Sequence, residues 1–171
     1  MSAEPGPTNT SAVVRAYVGL GGNLGDARAT VLAGLAAVAQ WPGCALVARS
    51  SLYRSAPVEA GGPDFINAVA AIDTTLTPGA LLAALQAIEL QHGRQRPYRH
   101  APRTLDLDLL LHGQVAQADP VLTLPHPRLH QRAFVLQPLL ELAPSLVVPG
   151  LGLLSDHLAA TADQRIERLQ A

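Results

Sequence analysis

Lysine is missing from this chain altogether: all 12 of its cationic side chains are arginine. That absence excludes the P-loop, whose lysine reaches the terminal phosphates, and the protein-kinase scaffold with its strand lysine. Schiff-base chemistry on a lysine amine is excluded too. Biased genome composition is a sufficient cause, so the absence excludes more than it explains. Cysteine is almost as scarce. With Cys44 alone, the chain can form neither an internal disulfide nor a cysteine-rich zinc site, which fits a reducing compartment. Aromatic residues make up 4% of the chain, so Phe65 and Phe134 stand out against an aliphatic background. There is no excess of charge of either sign. A formal net charge of −1 argues against general nucleic-acid or membrane-surface binding. No apolar run approaches membrane-spanning length, and the start MSAEPGPTNTS has neither a basic region nor an apolar one. The reading is a cytoplasmic protein with no membrane and no nucleic-acid partner, expected to be a monomer.

What remains is ample for a core: 171 residues, 49% of them hydrophobic. Residues 1–12, rich in Pro, Gly, Ser and Thr, read as a disordered tail, and residues 13–171 as one domain. A strand is expected from Val13 to Leu20, broken by GGNLGD before a helix in which Leu24, Val31, Leu35 and Val38 share a face. Trp41, Pro42 and Gly43 end it. Strands follow over about Ala45 to Tyr53 and Phe65 to Asp73. Thr77 and Pro78 then mark a helix start, with Leu81, Leu85 and Ile88 as its buried face and Gly93 as its end. The next strand is Thr104 to Leu111. A short helix around Arg132 to Leu142, disturbed by Pro138, and a C-terminal helix from Ser155 to Leu169 complete the reading. The order predicts an α+β fold: a ferredoxin-like βαββαβ core, helices packed on one face of a mainly antiparallel sheet, and extra C-terminal helices.

The chemistry concentrates in RHAPRTLDLDLLLHG, Arg99 to Gly113. Strand alternation puts Leu105, Leu107 and Leu109 on one face and Asp106 and Asp108 on the other, with the aspartate α-carbons roughly 6.5–7 Å apart. Two carboxylates at that spacing suit magnesium, which completes its shell with water and substrate phosphates. Solvated acids on a half-exposed strand are the plain alternative. Arg94, Arg96, Arg99 and Arg103 crowd the loop just before the pair, an arrangement that makes sense if an anion comes to them, since the guanidinium fork suits phosphate oxygens. Salt bridges to the aspartates and to Glu89 are the competing explanation. Together, cations and metal-binding acids favour polyphosphate chemistry. Gln86 and Glu89, three apart, share a helix face that either meets a nucleotide or meets only solvent. GLGGNLGD has the wrong glycine spacing for a dinucleotide fingerprint. It reads either as a turn allowing close backbone approach to a ligand or as a plain turn capped by Asn23 or Asp26. His126 and His130 have helical metal-ligand spacing, but Pro127 between them breaks that geometry, and His126 with Arg132 reads better as a phosphate contact. Phe65 and Phe134 are either core filling or stacking partners for a flat heterocycle. A regulatory nucleotide-binding module and an RNA-binding domain are rival readings, although the latter would want a basic, aromatic sheet face.

Over Val13 to Leu158 the sequence resembles the 6-hydroxymethyl-7,8-dihydropterin pyrophosphokinases of folate biosynthesis. The matching pieces fall in family order: GGNLGD, LYRSAP, PDFINAV, IELQHGR, RHAPRTLDLDLL and LPHPRLHQRAFVLQPL. The resemblance implies an ATP-dependent diphosphotransferase that moves the β,γ-diphosphate of ATP onto the pterin hydroxymethyl group and releases AMP. It implies that Asp106 and Asp108 hold two Mg2+ ions and that one of them helps deprotonate the hydroxyl, while Arg94 and Arg103 act catalytically on the triphosphate. By the same resemblance Gln86, Glu89, Arg96, His126 and Arg132 bind ATP. Gly21, Asn23, Ser55, Val58, Phe65, Asn67 and Phe134 form the pterin pocket, with Phe65 and Phe134 stacking, Asn67 hydrogen-bonding, and Ser55 and Val58 acting through backbone. His100, Ala56, Phe65 and Pro127 depart from residues common in the family, and the arginine loop is expected to close over bound nucleotide.

Overall fold

A computed structural model describes residues 12–56, 63–92 and 105–169. Val58, Gly93, Arg94, Arg96, Arg99, His100, Arg103, Thr104 and all but the last residue of the expected tail lie outside the described residues. The chain runs β1 (Val14–Gly22), α1 (Ala27–Gln40), β2 (Cys44–Arg49), β3 (Tyr53–Ser55), β4 (Phe65–Thr74), α2 (Pro78–Gln91) and β5 (Asp106–His112). Two small hairpins, β6 (Gln117–Ala118) with β7 (Thr123–Leu124) and β8 (Val147–Val148) with β9 (Gly152–Leu153), flank α3 (Ala133–Leu142). The last strand is β10 (Ile166–Arg168).

Both long helices start where side chains satisfy their first amides. Asp26 accepts from Ala29 N at 3.1 Å and Thr77 from Ala80 N at 3.2 Å, with Pro78 at the position where a missing N–H costs nothing. The sheet order is β10-β3-β4-β1-β5, with β2 also on β4, and every pairing is antiparallel. Counting β2 and β3 as two pieces of one edge, this is the ferredoxin-like βαββαβ arrangement with β1 and β4 central.

Alternation divides the core in two. Ala16, Val18 and Leu20 of β1, Ile66 to Ile72 in alternation on β4, and Leu105, Leu107 and Leu109 pack against Val31, Leu35 and Val38 of α1 and Leu81, Leu85 and Ile88 of α2. Helix α1 comes close to the sheet at Gly34, where a Cβ would sit 3.1 Å from the Leu105 methyls. The opposite face, with Tyr17, Val69, Ala71, Leu110 and Leu111, packs against Val135, Leu136 and Leu139 of α3 and against Leu154. Leu110 is an extra residue in β5, opposite the Tyr17–Val18 step, so Leu110 and Leu111 both reach this second core.

Four expectations are corrected. Strand β1 does not stop at Leu20 but runs through Gly22, because Gly21 and Gly22 still pair with Asn67 and Ile66. Leu24 precedes α1 instead of lying on it. The single strand expected over Ala45 to Tyr53 is broken at Ser50–Leu52. Ser50 Oγ takes the Val69 N–H at 2.9 Å, and Ser51 N turns away to the Glu141 carboxylate at 3.0 Å. The C-terminal helix over Ser155 to Leu169 is absent: two short 3-10 turns lead to β10, which pairs with the outer edge of β3. The turns bury Leu154 and Thr161 and β10 covers the edge of β3, tertiary contacts that override the local helix propensity of this segment. Helix α3 keeps its expected span, with Pro138 inside it and buried.

Candidate active site

Among the described residues singled out in the sequence, Gly21, Ser55, Phe65, Asn67, Asp106 and Asp108 lie toward one end of the sheet, on the face that carries α3. Across the strands, Asn67 of β4 stands opposite Gly21 of β1, and Gly21 stands opposite Asp106 of β5; one step down, Val69, Gly19 and Asp108 form the next row. Asp106 and Asp108 therefore share a face with Asn67, and the strand between them presents glycine. The Leu105, Leu107, Leu109 set is buried on the other side, so the core fixes the direction in which the two carboxylates point.

Asn67 is buried, and its position is defined from two sides. Ser55 Oγ donates to Asn67 Oδ1 at 2.7 Å, and a Cβ on Gly21 would lie 3.0 Å from Asn67 Nδ2. Ser55 pairs with Phe65 across β3 and β4, so the half-buried Phe65 stands two residues before Asn67 on the same face of β4. Asn23, just beyond β1, donates to the Pro63 carbonyl at 3.3 Å and joins this corner to the start of β4.

The second wall is the turn leading into α3. His126 N donates to Leu110 O at 3.0 Å, which anchors the turn to β5. Burial pulls the His126 imidazole below its ordinary pKa. The Asp108 carboxylate opposes that shift, whereas Arg132 and Arg128 reinforce it. His126 Nδ1 accepts from Arg128 N at 3.1 Å. Arg132 precedes α3, and its guanidinium lies over the Phe134 ring, 5.5 Å from the centroid. Gln164 clamps the same corner: it accepts from Ala133 N and donates to Gln131 O, both at 2.8 Å. Its role was invisible in the sequence, since a glutamine 31 residues away carries no local signal.

Gln86 and Glu89 do not behave as one exposed pair. Gln86 is exposed on α2, across the sheet from the carboxylates, whereas Glu89 is buried and its Oε2 accepts the Leu107 N–H at 2.8 Å. Leu107 lies between the two aspartates on an edge strand, so Glu89 satisfies an outward amide that no neighbouring strand takes among the described residues.

Two carboxylates, one half-buried and one exposed, form an incomplete donor set. Among the described residues no group of three His, Cys, Asp or Glu side chains is placed to hold a metal. That set fits a hard, hydrated ion such as Mg2+, which keeps water and phosphate oxygens in its shell, and does not fit zinc.

Comparison with known proteins agrees with this geometry. The 7,8-dihydro-6-hydroxymethylpterin-pyrophosphokinase (HPPK) family matches residues 17–144. The chain is 49% identical over 158 residues to the 2-amino-4-hydroxy-6-hydroxymethyldihydropteridine pyrophosphokinase of Pseudomonas aeruginosa, covering 92% of this chain and 98% of that one. It is 40% identical to the protein of the same name from Haemophilus influenzae, covering 92% and 99%. Among solved structures, wild-type Plasmodium falciparum HPPK-DHPS with SDX-DHP superposes with a TM-score of 0.71 at 12% identity, covering 88% of this chain and 45% of that one. The present chain thus spans less than half of that longer protein, and at such identity the likeness speaks to the fold. Family match, near full-length relatives and shared fold agree: this chain belongs to the 7,8-dihydro-6-hydroxymethylpterin-pyrophosphokinase family.

Proposed function

We infer that this chain transfers the β,γ-diphosphate of ATP to the hydroxymethyl group of 6-hydroxymethyl-7,8-dihydropterin, giving the pterin diphosphate and AMP in folate biosynthesis. The observation that carries the reading is the row Asn67, Gly21, Asp106: a buried amide and a metal-type carboxylate on either side of a bare strand. The pterin oxygen attacks the β-phosphorus, and the bond from that phosphorus to the oxygen bridging the α-phosphorus breaks. AMP leaves with the electron pair. Asp106 and Asp108 hold two Mg2+ ions, which when bound draw charge from the phosphate oxygens. One of the two aspartates also helps remove the hydroxyl proton.

Phe65 and Phe134 stack on the pterin, Asn67 hydrogen-bonds its edge, and Gly21, Asn23 and the backbone of Ser55 and Val58 complete its pocket. Arg94 and Arg103 carry the charge that develops on the triphosphate, and Arg96, Arg132 and His126 line the nucleotide site; Gln86 and Glu89, on the other side of the sheet, meet the nucleotide only where it passes around the open edge of β5. Lowered basicity suits His126 to meet phosphate as a neutral hydrogen-bonding group. All of these residues come from one chain, so a monomer suffices. Among the described residues no helix is long and apolar enough to cross a membrane. A cytoplasmic location fits the need for ATP.

Incubation with ATP, Mg2+ and the dihydropterin, followed by separation of the nucleotides, tests the reading. AMP is expected only when the pterin is present, and Asp106→Asn or Asp108→Asn should lower its formation by ~100-fold or more. ADP as the product, or full turnover by both variants, would overturn it.

A further inference from the structure

Helix α3 begins in a way its own sequence does not favour. Arg132 occupies the capping position in an extended conformation and makes no side-chain bond to the helix amides. Serine, threonine, aspartate and asparagine suit that position, and a cation is disfavoured at the positive end of a helix. The cap comes instead from a residue 31 positions beyond Ala133. Gln164 Oε1 accepts from Ala133 N and Gln164 Nε2 donates to Gln131 O, each at 2.8 Å, so one side chain bonds both peptide groups that flank the Arg132 α-carbon. These partners are a backbone N–H and a backbone carbonyl, whose roles are fixed, and a single orientation of the Gln164 amide satisfies both. Gln164 is itself held in place: its N–H donates to the carbonyl of buried Thr161 at 3.0 Å, and Ile166, two residues on, pairs with Ser55 of β3. The helix has its own anchors in buried Ala133, Leu136 and Leu139, and Leu129 anchors the turn before it. Between these anchors stand His130, Gln131 and Arg132, all polar.

We propose that Gln164 is a positioning residue for the nucleotide site: by capping α3 from outside, it frees the capping position for an arginine and fixes the direction in which that arginine meets the triphosphate. This rests on the placing of Arg132 in the nucleotide site above. A serine or aspartate at 132 would cap the helix by itself but leave no cation for phosphate. Without Gln164 the helix still forms on its buried leucines, while the peptide groups around Arg132 turn to water and the guanidinium loses its fixed aim. Affinity for the nucleotide then falls because the arginine must be ordered at the moment of binding.

The test is isothermal titration with Mg2+ and α,β-methylene-ATP, in which the bond to be broken is blocked. The proteins are wild type, Gln164→Ala, Gln164→Met, Arg132→Ala and the variant carrying both alanines. Methionine keeps the length of glutamine and loses both polar ends. Gln164→Ala and Gln164→Met should each weaken binding by ~5-fold, and Arg132→Ala by ~10-fold or more. In the Arg132→Ala background, Gln164→Ala should change affinity by less than about twofold, since its effect passes through that guanidinium. A merely structural brace would show the same loss in both backgrounds. Such additivity, or wild-type affinity in either Gln164 variant, overturns the inference and leaves the nucleotide reading intact. Full affinity in Arg132→Ala removes Arg132 from the nucleotide site, and the inference falls with it.

Discussion

Gly21 shows how much one missing side chain can decide. Its neighbours in register are Asn67 and Asp106, and a Cβ at 21 would come within 3.0 Å of the Asn67 amide, close enough to displace it. Gly21→Ala should therefore weaken pterin binding by ~10-fold while ATP affinity stays within about twofold, as titration of each ligand would show. An equal loss for both ligands would mean general damage to the sheet. At this scale much was legible. Alternation in LDLDLLL separated the aspartates from Leu105, Leu107 and Leu109, Thr77 is a cap in the sequence as in the structure, and of the two candidates Asn23 and Asp26 it is Asp26 that caps α1. Glu89 was only half legible. Spacing puts it next to Gln86 on the helix surface, but whether a residue at the margin of an apolar stripe turns in or out depends on what lies opposite, here the bare amide of Leu107.

Between elements, Glu141 at the end of α3 does the work that a continuous edge strand would otherwise do. Its carboxylate accepts from Ser51 N, Ser51 Oγ and the Tyr53 hydroxyl, and from Arg168 at the end of β10. Burial works to raise its pKa, but the bonds from Tyr53 and Ser51 and the charge of Arg168 outweigh it and leave the pKa below the ordinary 4.5. Such a group adds stability above its unfolded pKa and loses it as pH falls through the folded one. Denaturation curves should thus show wild type losing more stability than Glu141→Gln between about pH 5 and pH 3. At pH 7 the substitution should cost ~1–3 kcal/mol, because the tyrosine and serine donors lose a charged acceptor. Equal acid sensitivity of the two proteins would count against this account. None of it could be read from the chain, because the break at Ser50–Leu52 and the strand Ile166–Arg168 each depend on a partner remote in sequence.

For the whole molecule, two cores share one sheet, so each face should depend on the other. Leu85 of α2 and Leu136 of α3 are both fully buried, one on each side. Leu85→Ala and Leu136→Ala should each cost ~2–5 kcal/mol, and both proteins should still unfold in a single transition when followed by fluorescence and by circular dichroism. Separate transitions would divide the chain into independent units. The βαββαβ order of the core and the face covered by α1 and α2 were legible because amphipathic periods and caps are local. The second core was not, since a run such as LLL at 109–111 cannot tell which of its members crosses the sheet until the extra residue Leu110 is placed.

The irregularity in β2 has a bearing on solubility. This strand pairs with β4 alone among the described residues, and Leu46 and Val47 are exposed along it, which would invite a foreign strand to add on and start a growing fibre. Val47 is the extra residue that interrupts the ladder between Leu46 and Ala48, so the outer row of amides and carbonyls is out of step with any regular strand that approaches. Other proteins guard such an edge with lysine; in a chain without one, the bulge keeps neighbouring molecules apart.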